Sequence, residues 1–373
     1  MDALTTPSNW QRVRLGDIGK PCMCKRVMKH QTTRYGEIPF YKIGTFGNTA
    51  DAFISKKLFL EYKTKYSFPK KGDILISASG TIGRAVIYDG KPAYFQDSNI
   101  VWIDNDETLV KNDFLFYAYS NIKWNTEHTT ILRLYNDNFK NTLIPLPPLN
   151  EQIAIANILS DVDRYLYSLD ALILKKESVK KALSFELLSQ RKRLKGFNQN
   201  WQKIRLGDIA NYLTSNLSVE QITQQGKIKV YDVNNFIGYT DTTFISDKPY
   251  ISIVKDGSVG RVRILPPKTN ILSTMGALIA NHKTTTEFLF YLLSNFDFKN
   301  FTSGSIIPHI YFKDYKEKTI FLPPLNEQIA IANILSALDH EIISLKNKKR
   351  QFDNIKKALN HDLMSAKIRV LKK

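Results

Sequence analysis

The sequence predicts two mixed α/β domains, related by an approximate two-fold, alternating with two long antiparallel helices of coiled-coil type. Three observations carry that reading. LPPLNEQIAIANILS runs from Leu146 to Ser160 and again, unchanged, from Leu322 to Ser336. WQRVRLGDI at Trp10 to Ile18 returns as WQKIRLGDI at Trp201 to Ile209. Behind each copy of the first block, apolar residues recur at alternating steps of three and four, the signature of a helix with one sticky face. The chain is therefore a tandem duplication, with a variable domain over 1–145, a shared helix over 146–198, a second variable domain over 199–321 and a second shared helix over 322–373.

The start of each helix is legible residue by residue. A double proline cannot lie inside a helix, so Pro147-Pro148 and Pro323-Pro324 mark the approach. Asn150 then reads as the N-cap and Glu151 as the first-turn acid favoured by the helix dipole. In the first helix the stripe runs through Ile155, Ile158, Val162, Tyr165, Leu169, Leu172, Val179, Leu183 and Leu187. In the second it runs through Ile331, Ile334, Leu338, Leu345, Phe352, Ile355, Leu359 and Leu363. Helices of ~40 residues span roughly 60 Å and cannot bury such a stripe on themselves. Each is expected to take the other as its antiparallel partner.

The variable domains read as strands and turns. IPFYKIG (Ile38 to Gly44), DILISASG (Asp73 to Gly80), RAVIYDG (Arg84 to Gly90) and NIVWI (Asn99 to Ile103) are apolar runs bounded by Gly, Asn, Asp and Pro. A helix is expected over Asn112 to Ile122, with a counterpart near Glu287 to Phe296. The offset between the halves is 191 at the opening tryptophans and 176 at the shared helices, so the first variable region is longer by 15 residues. Whole-domain duplication at this period excludes a solenoid repeat.

Charge indicates the kind of partner. The 373 residues carry 53 Lys and Arg against 35 Asp and Glu, a formal net charge of +18. That balance points to a polyanion, nucleic acid before membrane. No run of ~18 or more apolar residues occurs and the N-terminus lacks a signal layout, so a cytoplasmic protein is expected. Cys22 and Cys24 form a C-x-C without a second ligand pair, which indicates neither a disulfide framework nor a zinc site. Nucleotide-binding, zinc-hydrolase and serine-hydrolase motifs are missing, as is the N-P-P-[YF] tetrapeptide of amino-methyltransferases. This weight of absences favours binding over catalysis.

Two features in each variable domain could touch nucleic acid. The first is a glycine pair with a hydroxyl and an arginine, GTIGR (Gly80 to Arg84) and GSVGR (Gly257 to Arg261), able to offer N–H groups and a guanidinium to phosphate or simply to make a tight turn. The second is a basic, hydroxyl-rich and aromatic stretch just before each shared helix, HTTILRLYNDNFKN and GSIIPHIYFKDYKEK. Lys and Arg suit phosphates, and Arg, His, Asn or Ser suit base edges. The candidate DNA contacts are Ser79, Thr81, Arg84, His128, Arg133, Asn138 and Lys140 in the first domain. In the second they are Ser258, Arg261, Arg263, Ser305, His309, Tyr311 and Lys313. The candidate helix-pair or subunit contacts are Ile155, Ile158, Val162, Leu169, Leu172, Val179, Leu183, Ile331, Ile334, Leu338, Leu345, Phe352, Ile355 and Leu359.

Taken together, the repeated P-L-P-P-L-N-E-Q-type helix start, the W-x-x-x-x-L-G-D-I opening and the G-x-[IV]-G island resemble the specificity subunits of type I restriction-modification systems over essentially the whole chain. The second helix start departs in one letter, with Phe321 in place of the first proline. The resemblance implies two target-recognition domains, each reading one half of a split double-stranded DNA target, with the helices as spacer. It also implies two methylation subunits bringing S-adenosylmethionine and restriction subunits adding ATP- and Mg2+-dependent work, with no cofactor, metal or catalytic group on this chain. Two other readings stand beside it: a solitary methyltransferase or nuclease, and a coiled-coil scaffold without DNA. Methyl transfer by the chain alone would establish the former, and DNA affinity insensitive to salt would favour the latter. Proline at Leu169 or Leu345 should cost ~3 kcal/mol or more and kink the helix. Target selection unaltered by either change, read from methylation maps, would defeat the idea that the helices act as a ruler.

Overall fold

The computed structural model describes residues 9–128 and 132–370, without the side chains of Glu127 and His128. It divides into two compact units, one built from residues 1–169 with 348–373 and the other from 170–347. The division falls inside the long helices. Each unit therefore holds one variable domain, the opening turns of the helix that follows it, and the closing turns of the other helix.

Both variable domains repeat one plan. In the first unit a four-stranded antiparallel sheet runs in the order Gly19–Met23, Ile100–Asn105, Ile74–Ser77, Ala85–Ile87. In the second unit the order is Ala210–Thr214, Met275–Ala280, Tyr250–Val254, Val262–Leu265. The inner strands Ile74–Ser77 and Tyr250–Val254 are buried at every position, and their sequences ILIS and YISIV are accordingly almost wholly apolar. A three-stranded sheet completes each domain, Phe53–Ile54, Ile38–Tyr41, Tyr94–Phe95 in one and Phe236–Thr240, Ile228–Tyr231, Thr269–Ile271 in the other. The expected helices appear as Asn112–Tyr119 and Thr286–Ser294. A helix over Lys56–Lys65, capped by the Ser55 hydroxyl, was not expected and has no counterpart between the equivalent strands of the second domain. It accounts for much of the extra length of the first variable region.

The two thiols are free, and Cys24 sits in an apolar core with Ile38, Phe40 and Trp102 while Cys22 packs against it. Cys24 is buried and burial pushes its thiol up to about 12, so it stays protonated.

The first and last strands of each domain close it. Gln11–Arg14 pairs with Leu143–Leu146, placing Gln11 opposite Leu146, and Gln202–Arg205 pairs likewise with Thr319–Leu322. This ribbon carries the repeated tryptophan, Trp10 or Trp201, to the mouth of the following helix. The long helices then run over Leu149–Leu188 and Leu325–Met364. The first starts one residue ahead of the expected cap. Asn150 lies inside the first turn, its side-chain oxygen accepting from Glu151 N–H at 2.9 Å, while the Pro148 carbonyl accepts the opening backbone bonds.

Inside each unit the helix pair is antiparallel. In the first unit Tyr165 meets Phe352 with ring centres 4.6 Å apart, and Asp163 pairs with Lys356. In the second, Lys176 pairs with Glu341 at 2.8 Å and Lys180 with Asp339. Within the first unit the buried seam follows Ile155, Leu159, Leu166 and Leu169, and within the second Ile173, Ile331, Leu335 and Ile342. Ile158, Val162, Leu183, Ile334, Leu338, Leu345, Phe352 and Leu359 flank it half-buried. Leu172, Val179 and Ile355 do not join it, being 38%, 45% and 51% exposed. The expected stripe stepped three-four from Ile155, whereas the seam steps four-three, so alternate positions fall one residue further on. Part of each helix also turns towards its own domain. Ile155 and Ala156 share a core with Phe114 and Tyr117, and Ile331 and Ala332 with Phe288 and Tyr291.

The repeated letters hold these joints. Glu151, 2% exposed, accepts from Trp10 Nε1 at 3.0 Å and from Arg369 at 2.7 and 3.0 Å. Glu327 accepts from Trp201 Nε1 at 3.0 Å and from Arg193 at 3.0 and 2.8 Å. A bidentate guanidinium and an indole N–H together satisfy a carboxylate that burial alone would make costly. Gln152 and Gln328, both fully buried, tie the same turn to the loop ahead of the domain helix. Gln152 accepts from Lys111 N–H and donates to the Leu109 and Pro147 carbonyls. Gln328 accepts from Thr284 and Thr285 and donates to the Lys283 and Pro323 carbonyls. About three turns later Tyr117 donates to Asp163 at 2.8 Å and Tyr291 to Asp339 at 2.9 Å. Burial, then the carboxylate partner, holds both phenols well above the ordinary tyrosine range. Replacing Glu151 by Ala should destabilise the first unit by about 3 kcal/mol, because it leaves the buried Trp10 N–H without an acceptor and the Arg369 guanidinium without its carboxylate. Urea denaturation checks this, and an unshifted midpoint would show that the clamp contributes little.

Candidate nucleic-acid interface

The two sequence features suspected of touching nucleic acid are brought together in both domains. Strand Ile74–Ser77 ends in a sharp loop with Gly80 at φ +66° and Gly83 at φ +82°. A small hairpin, Glu127–His128 with Leu132–Arg133, docks on that loop through a bridge between Ser79 and Arg133. In the second domain Gly257 and Gly260 take φ of +82° and +81°, and the hairpin Thr302–Ser303 with His309–Ile310 docks through a bridge between Asp256 and His309. Here Gly257 N–H donates to the Pro308 carbonyl and Ile310 N–H to the Lys255 carbonyl, each at 2.9 Å.

The second glycine of each pair is forced by close approach as well as by backbone angle. A Cβ on Gly83 would lie 2.1 Å from the Trp124 ring nitrogen, and one on Gly260 would lie 2.6 Å from the Phe298 ring. Those rings wedge the loop from below. Turn and ligand readings of the G-x-x-G island are thus compatible, since the turn displays what lies between the glycines.

The predicted residues separate into holders and exposed groups. Ser79 is buried and donates to Asn99 at 2.8 Å, and half-buried Arg133 donates to the same oxygen at 3.3 Å. These two position the loop instead of facing outward. Arg84 donates to the Phe46 carbonyl at 2.9 Å, and Arg261 to the Asn234 side chain at 3.1 Å. Each arginine links the loop to the turn after the central strand of the three-stranded sheet while remaining largely exposed. Arg263 is turned inward, bonded to the Asn234 carbonyl at 2.6 Å and lying 5.1 Å from the Tyr231 ring centre. His309 sits 2.6 Å from Asp256. Thr81, Ser258, Ser305, Tyr311 and Lys313 are exposed, and the Lys313 ammonium lies 5.5 Å from the Tyr311 ring centre. Asn138 and Lys140 lie on the next element, Asn136–Asn141, which packs against Leu15–Ile18. The backbone of His128 falls in the hairpin, whereas Thr129 lies outside the described residues.

Sequence reasoning missed Asn99, Asn234 and Asp256, whose side chains fasten these parts together. Only the equivalence of Ser79 with Asp256 across the duplication could have drawn notice to the third. Among the described residues no group of three or more His, Cys, Asp and Glu side chains could hold a metal ion, and no helix is long and apolar enough to cross a membrane. The arrangement offers a preorganised loop, a hairpin and scattered hydroxyl, guanidinium and ammonium groups, the means of recognition at a groove.

The model of the type I restriction modification DNA specificity domain matches residues 7–176 and again 198–352. The chain belongs to that family. A type I restriction enzyme specificity subunit of Haemophilus influenzae is 64% identical over 148 residues, 39% of this chain and 38% of that protein. The MjaX specificity subunit of Methanocaldococcus jannaschii is 30% identical over 98% of this chain and 95% of its own. The crystal structure of a type I restriction-modification S subunit from M. genitalium superposes with a TM-score of 0.64 at 21% identity, covering 97% of this chain and 98% of that one. A chain from a structure of type I restriction-modification complex assembly gives 0.57 at 15%, covering 96% and 98%. The protein is thus a specificity subunit, a component for DNA target recognition.

For this specificity subunit the loop geometry gives a directed expectation. Gly260→Ala combines a left-handed φ, worth roughly 1–2 kcal/mol for a side chain, with a displaced Phe298 ring. It should lower the melting temperature of the second unit and blur recognition of one half-target only. A methylation map with both halves intact would contradict the assignment of this loop.

Proposed function

We propose that each variable domain reads one half of a bipartite duplex DNA target and that the long helices set the gap between the halves. The same helices dock two methylation subunits, to which restriction subunits are added. The observation that carries this is the double construction of one scaffold with unlike displays. The clamps around Glu151 and Glu327 are the same to the atom type, while the loops and hairpins differ in Thr81 against Ser258 and in His128-Thr129 against Gly304-Ser305. Constant joints with variable tips suit two domains that do one task on two sequences. The net charge of +18 supplies the phosphate attraction that precedes any reading of bases.

The spacing role is supported by helices of 40 residues each, about 60 Å long at 1.5 Å per residue. That reach suits half-targets about one helical turn of DNA, ~34 Å, apart. Subunit docking is supported by apolar side chains that the seam leaves outside, Leu172, Val179 and Ile355 with the more exposed Tyr167 and Leu174. S-adenosylmethionine, ATP and Mg2+ enter through the other subunits, and the assembly works in the cytoplasm where chromosomal DNA lies.

The test is single-molecule mapping of methylated adenines in the host with and without an in-frame deletion of the gene. Loss of one motif made of two unlike short halves around a fixed gap is the expected result. Methyl transfer by the purified chain alone would overturn the reading, as would an unchanged methylome together with no salt-sensitive DNA binding by the assembled complex.

A further inference from the structure

The hairpin of the second variable domain presents apolar side chains directly to water. Ile306 is 92% exposed and Ile307 beside it 55%. Lone surface isoleucines are ordinary, but these two stand on a tip that is fixed at both ends. Gly304 takes φ +90°, and a Cβ there would lie 2.3 Å from the Ile307 carbonyl oxygen. Thr302 and Ser303 pair with Ile310 and His309. The far strand is fastened to the glycine loop by the Pro308 and Lys255 carbonyls and by the contact of His309 with Asp256. Between Gly304 and Pro308 nothing covers the chain, and Ser305, Ile306 and Ile307 project from a base that the rest of the domain holds still.

The groups nearest in the structure's connectivity are of another kind. The glycine loop to which the hairpin is fastened brings Ser258 and Arg261, and the short helix Phe312–Tyr315 that follows the hairpin brings Lys313, with Tyr311 at its cap. A convex apolar tip among hydroxyl and cationic groups does not match an apolar protein groove. It matches a DNA groove, where cations meet phosphate and the floor offers hydrogen-bonding edges interrupted by one apolar group, the thymine methyl. The major groove is wide enough to admit a two-stranded ribbon of this kind. We propose that Ile306 reads the 5-methyl group of a thymine in the second half-target, with the Ser305 hydroxyl facing an adjoining base edge. The inference rests on the function proposed above. It also sets the two domains apart, because His128-Thr129 stands in the first where Gly304-Ser305 stands in the second.

The experiment uses the chain assembled with its methylation subunits and duplexes carrying the mapped target. Each thymine of the second half-target is replaced in turn by deoxyuridine, which removes only the methyl group. Wild type should lose about fourfold in affinity at one position, the worth of one buried methyl. Ile306→Ala should bind thymine and uracil duplexes alike there, while its response to changes in the first half-target stays that of wild type. Equal binding of all substituted duplexes by wild type would overturn the proposal, as would a second half-target without an A·T pair or an Ile306→Ala variant that keeps the uracil penalty. Loss of the methylation subunits on Ile306→Ala would instead make the tip a protein contact and would equally overturn it. Absence of any target-specific binding by wild type is a separate result, which removes the underlying function as well.

Discussion

Everything else in this chain depends on a carboxylate buried at the mouth of each long helix. Glu151 and Glu327 would be unfavourable in those positions by themselves, because a desolvated charge costs several kcal/mol. Each is made tolerable by an indole N–H from the strand that opens its domain and a guanidinium that follows the opposite helix. Three separate segments are thereby required at one point. The strand ribbon, the helix start and the end of the partner helix cannot shift independently without leaving a charge unsatisfied.

This constraint accounts for the division between what repeats and what varies. Residues that serve the joint recur with their letters, namely the tryptophan, the Asn-Glu-Gln turn, the domain-helix tyrosine and the aspartate it meets. The glycine loops and their hairpins answer to a different requirement. They need only the glycine turn, the ring beneath it and the docked hairpin, and the side chains displayed between those fixed points are free to differ. Exposed positions tolerate exchange at little cost in stability, so the readers can change while the joint persists.

Much of the fold was legible because duplication, double prolines and apolar runs are local signals. The strands through Ile74–Ser77 and Ile100–Asn105 and the helix from Leu149 fall where the sequence places them. The seam was legible only in part. Ile155 and Leu169 lie on it, but choosing Leu159 over Ile158, or Ile173 over Leu172, requires knowing which side of the helix its own domain covers. The helix Lys56–Lys65 hid because its apolar residues Leu58, Phe59, Leu60 and Tyr62 form one short cluster among as many lysines. At the candidate interface the sequence offered the right segments but not their fastening. Asn99, Asn234 and Asp256 are distant in sequence from what they hold, and nothing in their neighbourhoods marks them. The partners of Glu151 were likewise out of reach, since Arg369 lies 218 positions away.

That separation also bears on how the molecule comes into being. The unit spanning 170–347 is one continuous stretch, whereas the other combines residues up to 169 with 348–373. A polypeptide leaves the ribosome from its N-terminus and its domains fold as units. The first variable domain is therefore synthesised first yet finished last. Until Arg369 emerges, Glu151 has only Trp10, and the early turns of its helix lack Leu363 and Met364, which complete their apolar contacts. The later-made unit closes around Glu327 before that moment. Translation order and completion order are reversed, and a nascent chain carries its first domain as an unfinished half until Arg369 has been made.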